Sequence, residues 1–196
     1  MSDKATLTIG DNTWSFDTFE GTEGEKAIDT RTLRSDTGYI TFDEGFGNTG
    51  SCKSEITFID GEKGVLRYRG YPIEEVAEKA GFLEASYLII YGELPNAKNL
   101  REFRQRVHKN THIRQEMEHH FDGFPSDSPP MAILSAMLNS LGCYYSDLAT
   151  NDREQDLERF DEAAPLAISK VRTLAAMAYR MKMGLPFNFP DHNLLY

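Results

Sequence analysis

Apolar and polar positions alternate near the start of the chain and shift to a helical rhythm after residue 72. In residues 5–19, Leu7 and Ile9 alternate before Gly10-Asp11-Asn12, and Trp14 and Phe16 alternate after it. Alternation on both sides of a turn predicts a hairpin. Residues 27–43 continue with short β-like pieces, of which GYITFD (38–43) is an example, and 45–51 (GFGNTGS) reads as a glycine-rich loop. Ile56 and Phe58, then Val65 and Leu66, flank Asp60, Gly61 and Gly64, so a second hairpin is expected there. Gly70 ends its second strand, and Pro72 sits where a first helical turn accepts a residue without an N–H.

Beyond that point the spacing is helical. Ile73, Val76, Ala77 and Ala80 share a face, Glu74 and Glu75 suit the positive end of the helix dipole, and Gly81 is the expected stop. LEASYLIIY (83–91) is apolar on most sides and reads as a buried helix ended by Gly92 and Pro95. Asn96 is placed to cap a helix over 97–109, and a short helix spans about 112–121. Ser128 reads as an N-cap, with Pro129 and Pro130 in the first turn. Ile133, Leu134, Met137, Leu138 and Leu141 then form a core face. Residues 149–156 read as a polar connection, and the last long helix spans about 164–183, up to Gly184. The pattern is a small β-rich N-terminal region followed by packed helices, a mainly α fold.

Composition narrows the function classes. Twenty-one basic and 31 acidic side chains give a net charge of −10 over 196 residues. That balance argues against nucleic acid or an anionic membrane surface as the main partner. The stretch 163–183 carries Lys170, Arg172, Arg180 and Lys182 and reads as a buried-type helix rather than a membrane span. Cys52 and Cys143 lack metal-ligand spacing, which fits free thiols and a cytoplasmic location; Cys143 falls on an apolar helix face and reads as core. MSDKATLTIGDNTWSF contains no apolar signal segment.

Chemistry is sparse. His108, His112, Glu116 and His119 or His120 follow a near-helical spacing that can bind zinc, but Asn110-Thr111 interrupts it and no cysteine joins. We assign no metal site, and the set reads as a solvated polar face. The glycine-rich loop lacks the Lys-Ser/Thr ending of a phosphate cradle. No Gly-x-Ser-x-Gly elbow is present, and no carboxylate pair is distinguished for acid–base work. One local cluster opposes the acidic background: Arg101, Arg104, Arg106 and Lys109, with Arg114 shortly after. Either it draws in an anion or it is a solvated helix edge.

Residues 54–96 carry a longer signature. Ile59-Asp60-Gly61, Gly64-Val65-Leu66, Tyr68-Arg69-Gly70-Tyr71-Pro72-Ile73 and Tyr91-Gly92-Glu93-Leu94-Pro95 occur in this order. The set closely resembles the N-terminal helical region of citrate synthases. Pro130-Met131 before an apolar helix is similar to the family's His-Pro-Met segment. IDTRTL (28–33) and TFDEGFGNTGSC (41–52) look like the β-rich extension of the bacterial hexameric (type II) class, and the tail GLPFNFPDHNLLY also matches. The resemblance implies a citrate-synthase-like helical large domain, incomplete here. Residues 1–52 would be the β-rich region and 53–196 the N-terminal part of the large domain, with the C-terminal half and the small domain absent.

That family joins acetyl-CoA to oxaloacetate and water, giving citrate and CoA. In it an Asp takes a proton from the acetyl methyl group, and two His stabilise or protonate developing oxyanions. The resemblance puts these residues in the C-terminal half, one within a His-Gly-Gly segment that this chain lacks. No catalytic residue and no cofactor is therefore assigned. The truncated chain alone is expected to be inactive, its full-length form a homodimer or hexamer. The hexameric class also implies an allosteric NADH site. Thr111, Tyr145 and Lys170 match the expected types, Lys109 stands for an Arg, Asn110 and His112 for a His and a Met, and Leu166 for a second Arg. Two other readings stay open. One is a 2-methylcitrate synthase using propionyl-CoA, which usually begins near the helical region. The other is a short non-catalytic paralogue that binds a full-length subunit. Leu194, Leu195 and Tyr196 close an irregular tail, which favours truncation over the paralogue.

Overall fold

The structure, a computed structural model, describes residues 3–148, 150–191 and 194. His192, which has no evident partner in the sequence, and the tail residues Leu195 and Tyr196 lie outside the described residues. The chain forms two compact units, Met1–Glu55 and Ile56–Tyr196.

The first unit is a three-stranded antiparallel sheet of β1 (Lys4–Ile9), β2 (Asn12–Glu20) and β3 (Lys26–Ile28), in that order. The predicted hairpin is present, with Leu7 opposite Trp14 and Ala5 opposite Phe16. Phe16 is buried, as is Leu33 in the short α1 (Leu33–Thr37), which packs by β2. The expected strand at GYITFD does not form. Gly38 ends α1 with a left-handed φ of 78°, and Tyr39, Ile40 and Phe42 are exposed without strand partners. Strand propensity is realised only against a neighbour, and none is offered there.

The second unit opens with β4 (Thr57–Asp60), β5 (Val65–Tyr68) and β6 (Tyr71–Pro72), again antiparallel. Arg69 (φ 49°) and Gly70 (φ 86°) make the two-residue turn from β5 to β6, which requires positive φ at both positions. Arg69 Nε and Nη2 donate to the Ile89 carbonyl at 3.2 and 2.9 Å. This guanidinium joins the hairpin to the last turn of α3 (Phe82–Tyr91), where Gly92 supplies the left-handed cap.

Pro72 is the residue before α2 (Ile73–Lys79), not part of its first turn. Gly81 does not stop α2. That helix ends at Lys79 with Ala80 as its C-cap, and Gly81 is the N-cap of α3, its N–H donating to the Glu84 carboxylate at 2.8 Å. Only Leu83 and Leu88 of α3 are fully buried, and Phe82 is exposed.

The predicted α4 (Ala97–Lys109) is present, with Asn96 Oδ1 accepting from the N–H groups of Lys98 and Asn99. The short α5 (Gln115–Glu118) runs on into a 3-10 turn over His119–Gly123. Helix α6 (Pro130–Tyr144) starts one residue later than the Ser128 cap implies, because Pro129 takes the N-cap position in extended geometry. Ile133, Met137 and Leu141 are buried, and Leu134 and Leu138 pack beside them. Cys143 is exposed, on the side of α6 away from this stripe, and not in the core.

Residues 149–156 are not a plain connection. Asp152 caps α7 (Arg153–Glu158) by accepting from the N–H groups of Glu154 and Gln155. Helix α8 (Phe160–Lys182) begins earlier than expected, with Pro165 inside its second turn, where it removes one i→i−4 hydrogen bond, to the Asp161 carbonyl. The core lies where α6 and α8 cross: Leu174, Met177 and Ala178 meet Ile133, Met137, Leu141, Met117 and Phe121. A second cluster joins Leu83, Phe103 and Val107, with Ile168 of α8 against it.

Candidate functional site

The turn 110–114 ends α4 and is held against α8 by two polar contacts. Thr173 Oγ1 donates to the Thr111 carbonyl at 2.7 Å, and Lys170 Nζ donates to the His112 carbonyl. Thr111 is buried, and its hydroxyl donates to the His108 carbonyl at 3.0 Å. Lys170 is only 2% exposed. Its ammonium lies 5.7 Å from the centroid of the Tyr145 ring, a cation–π distance. The Arg114 guanidinium carbon lies 5.5 Å from that ring and 5.8 Å from the ring of Tyr144.

Of the six expected residues, Lys170 therefore reaches the backbone carbonyl of His112 and the ring of Tyr145, and Thr111 lies beside His112 on the same turn. Lys109 is exposed on the last turn of α4, and Asn110 caps that turn, its side-chain amide donating to the Arg106 carbonyl at 2.8 Å. Leu166 is buried one turn before Lys170. The cluster of basic residues is divided. Arg101 and Arg104 are exposed on α4, while Arg106 faces Asp161 at 3.8 Å. Sequence reasoning named Arg114 with that cluster and not with Tyr145. It passed over Thr173 and Ser169, although both lie within a turn of Lys170 on the same helix. Ser169 is fully buried, and its hydroxyl makes no hydrogen bond.

The four described histidines form no metal-binding group. His119 Nδ1 faces Asp122 at 3.6 Å, and His120 Nε2 lies 3.1 Å from the Tyr144 hydroxyl. Among the described residues no group of three or more His, Cys, Asp or Glu side chains is placed to hold a metal ion. No helix among them is long and apolar enough to cross a membrane.

A second polar locus joins α3, α4 and α8. It is a recess of about 120 Å³ lined by Tyr87, Tyr91, Asn99, Glu102, Phe103, Arg106 and Asp161. The Tyr91 hydroxyl donates to Asp161 Oδ1 at 2.9 Å. Partial burial and the neighbouring carboxylate push the Tyr91 phenol up to about 12.

The sequence and fold agree with one family. The family profile described as "Citrate synthase, C-terminal domain" matches residues 45–196, and the chain belongs to the citrate synthase family. It is 41% identical over 192 residues to citrate synthase 1 of Mycobacterium tuberculosis, in strains CDC 1551 / Oshkosh and ATCC 25618 / H37Rv. That match covers 98% of this chain and 44% of the relative, so the chain spans less than half the length of the curated relatives it matches. Solved citrate synthases share the helical fold. The enzyme of Thermoplasma acidophilum, solved as a ternary complex with carboxymethyl coenzyme A and oxaloacetate, superposes with a TM-score of 0.69 at 26% identity. That match covers 77% of this chain and 39% of the other. The Pyrobaculum aerophilum enzyme gives 0.68 at 26% identity, over 92% of this chain and 42% of the other.

Proposed function

We propose that this chain is the N-terminal part of a citrate synthase subunit of the hexameric (type II) class. The whole protein condenses acetyl-CoA with oxaloacetate and water, releasing citrate and CoA. It works in the cytoplasm as a homodimer or hexamer. The observation that carries the reading is the 41% identity maintained across 98% of this chain, together with a family profile that spans residues 45–196. Residues 1–52 form the β-rich extension in this reading, and 53–196 begin the helical large domain. The acid–base residues belong to the remainder of the subunit, so these 196 residues turn over no substrate by themselves.

The cluster of Thr111, His112, Tyr145 and Lys170, flanked by Lys109 and Asn110, is the proposed allosteric nucleotide site, with NADH as its effector. What supports it is that Lys170 joins the backbone of the turn carrying Thr111 and His112 to the ring of Tyr145. The test is a thiol-release assay on the full chain with oxaloacetate and either acetyl-CoA or propionyl-CoA. Faster CoA release with acetyl-CoA is expected. A preference for propionyl-CoA would make the protein a 2-methylcitrate synthase, and no release with either would overturn the enzymatic reading.

A further inference from the structure

The recess between α3, α4 and α8 shares no residue with the nucleotide site proposed above. Its apolar wall is made of three aromatic rings. Tyr87 and Tyr91 lie 4.3 Å apart, centroid to centroid, and each meets Phe103 edge to face, at 5.7 and 6.1 Å. Rings locked in this way are ordered before a ligand arrives, so little freedom is lost on binding. The polar lining comes chiefly from α4, where Asn99, Glu102 and Arg106 recur at helical spacing. Two of its charges are unspent. Arg106 and the Asp161 carboxylate are 3.8 Å apart, beyond hydrogen-bond reach, and Lys98 lies 3.9 Å from Glu102. Asp161 already accepts from Tyr91 at 2.9 Å. The Asn99 amide nitrogen donates to the Tyr87 hydroxyl at 3.2 Å, which leaves the Asn99 carbonyl oxygen as a further acceptor.

We propose that this recess binds a small free α-amino acid as its zwitterion. Arg106 takes the α-carboxylate through its planar fork. Glu102, with the Asn99 carbonyl, takes the α-ammonium, and the side chain lies along the Tyr87 and Tyr91 rings. Residues four apart on a helix stand about 5–6 Å from each other at Cβ, close enough for one small molecule to bring a charge to each. Simpler ligands fit less well. An anion would face two carboxylates, Glu102 and Asp161, a cation would face Arg106, and an uncharged apolar molecule would strip water from all three. The volume of about 120 Å³ is a little below the ~150 Å³ that holds a benzene molecule. A short aliphatic side chain fits that space and an indole does not.

The test is calorimetric titration of the full chain with three probes that share one branched side chain. L-valine carries both charges, isovalerate lacks the ammonium, and isobutylamine lacks the carboxylate. Valine is expected to bind, and each of the other two to bind about tenfold or more weakly, in line with the loss of a charge-assisted contact. R106Q and E102Q should each weaken valine binding by a similar factor. Both side chains are about half exposed, so the melting temperatures should stay with the parent's. R101Q, an exposed position on α4 that does not line the recess, should bind valine as the parent does. A parent that binds no valine would overturn the proposal. So would isovalerate or isobutylamine binding as tightly as valine, or folded R106Q and E102Q variants binding valine like the parent.

Discussion

Ser169 carries a hydroxyl into the packed side of α8 with no partner for it. A buried polar group left unpaired costs about 1–3 kcal/mol, so S169A should stabilise the chain, by about 1 kcal/mol, in urea unfolding. Its neighbour is the opposite case. K170M removes the donor to the His112 carbonyl and should cost about 1–3 kcal/mol, seen as a lower urea midpoint. Tyr91 gives a pH signature. Its pKa rises from the ordinary phenol value of about 10 to about 12 in the fold, so the fold favours the protonated phenol. That contribution is complete below pH 10 and is lost as pH climbs from 10 towards 12. The melting temperature should fall over that range, and Y91F should flatten the fall. The residues of the candidate site were legible in sequence as residue types, carried by the family resemblance. Which of them are buried was not, because burial of Lys170 depends on the crossing of α8 over the 110–114 turn, some sixty residues apart in sequence.

Elements were legible wherever the signal was local. The two hairpins follow from alternation and turn chemistry, and α4 follows from Asn96, whose carboxamide caps it as expected. N96A should cost about 1 kcal/mol. Misreadings arose where the deciding contact was distant or lacking. GYITFD has strand composition but finds no strand to pair with, and α7 was hidden because the polar run 150–156 looks like a linker until Asp152 is seen capping a helix there. Arg69 shows the same limit within the family signature. Nothing in Tyr-Arg-Gly-Tyr says that the arginine reaches Ile89, yet that bond ties this turn to the end of α3, which Gly92 of Tyr-Gly-Glu-Leu-Pro caps. Arg69 holds a left-handed φ that an ordinary side chain adopts at some cost. R69A keeps the strain and loses two hydrogen bonds, so it should destabilise by about 1–2 kcal/mol. R69G relieves the strain and should cost less. Denaturant midpoints of the two variants check the order.

At the scale of the molecule, exposed apolar side chains are numerous in both units. Met131, Leu157, Phe160, Tyr179, Met183, Leu185, Phe189 and Leu194 are all exposed in the second. If the rest of a citrate synthase subunit covers them, the 196-residue chain made alone should bind a hydrophobic dye strongly, and the full chain should bind it weakly. A monodisperse 196-residue monomer without dye binding would count against that cover. The division at Glu55 has a different kind of consequence. Every strand pairing of the first unit joins residues close in sequence, so that sheet can form as soon as its own residues leave the ribosome. The helical unit cannot close until α8 arrives, because α8 contributes to both of its apolar clusters. Translation of the intervening segment takes roughly ten seconds. During that interval a finished sheet precedes a row of amphipathic helices still waiting for their partner, which is when a chaperone would find the most to hold.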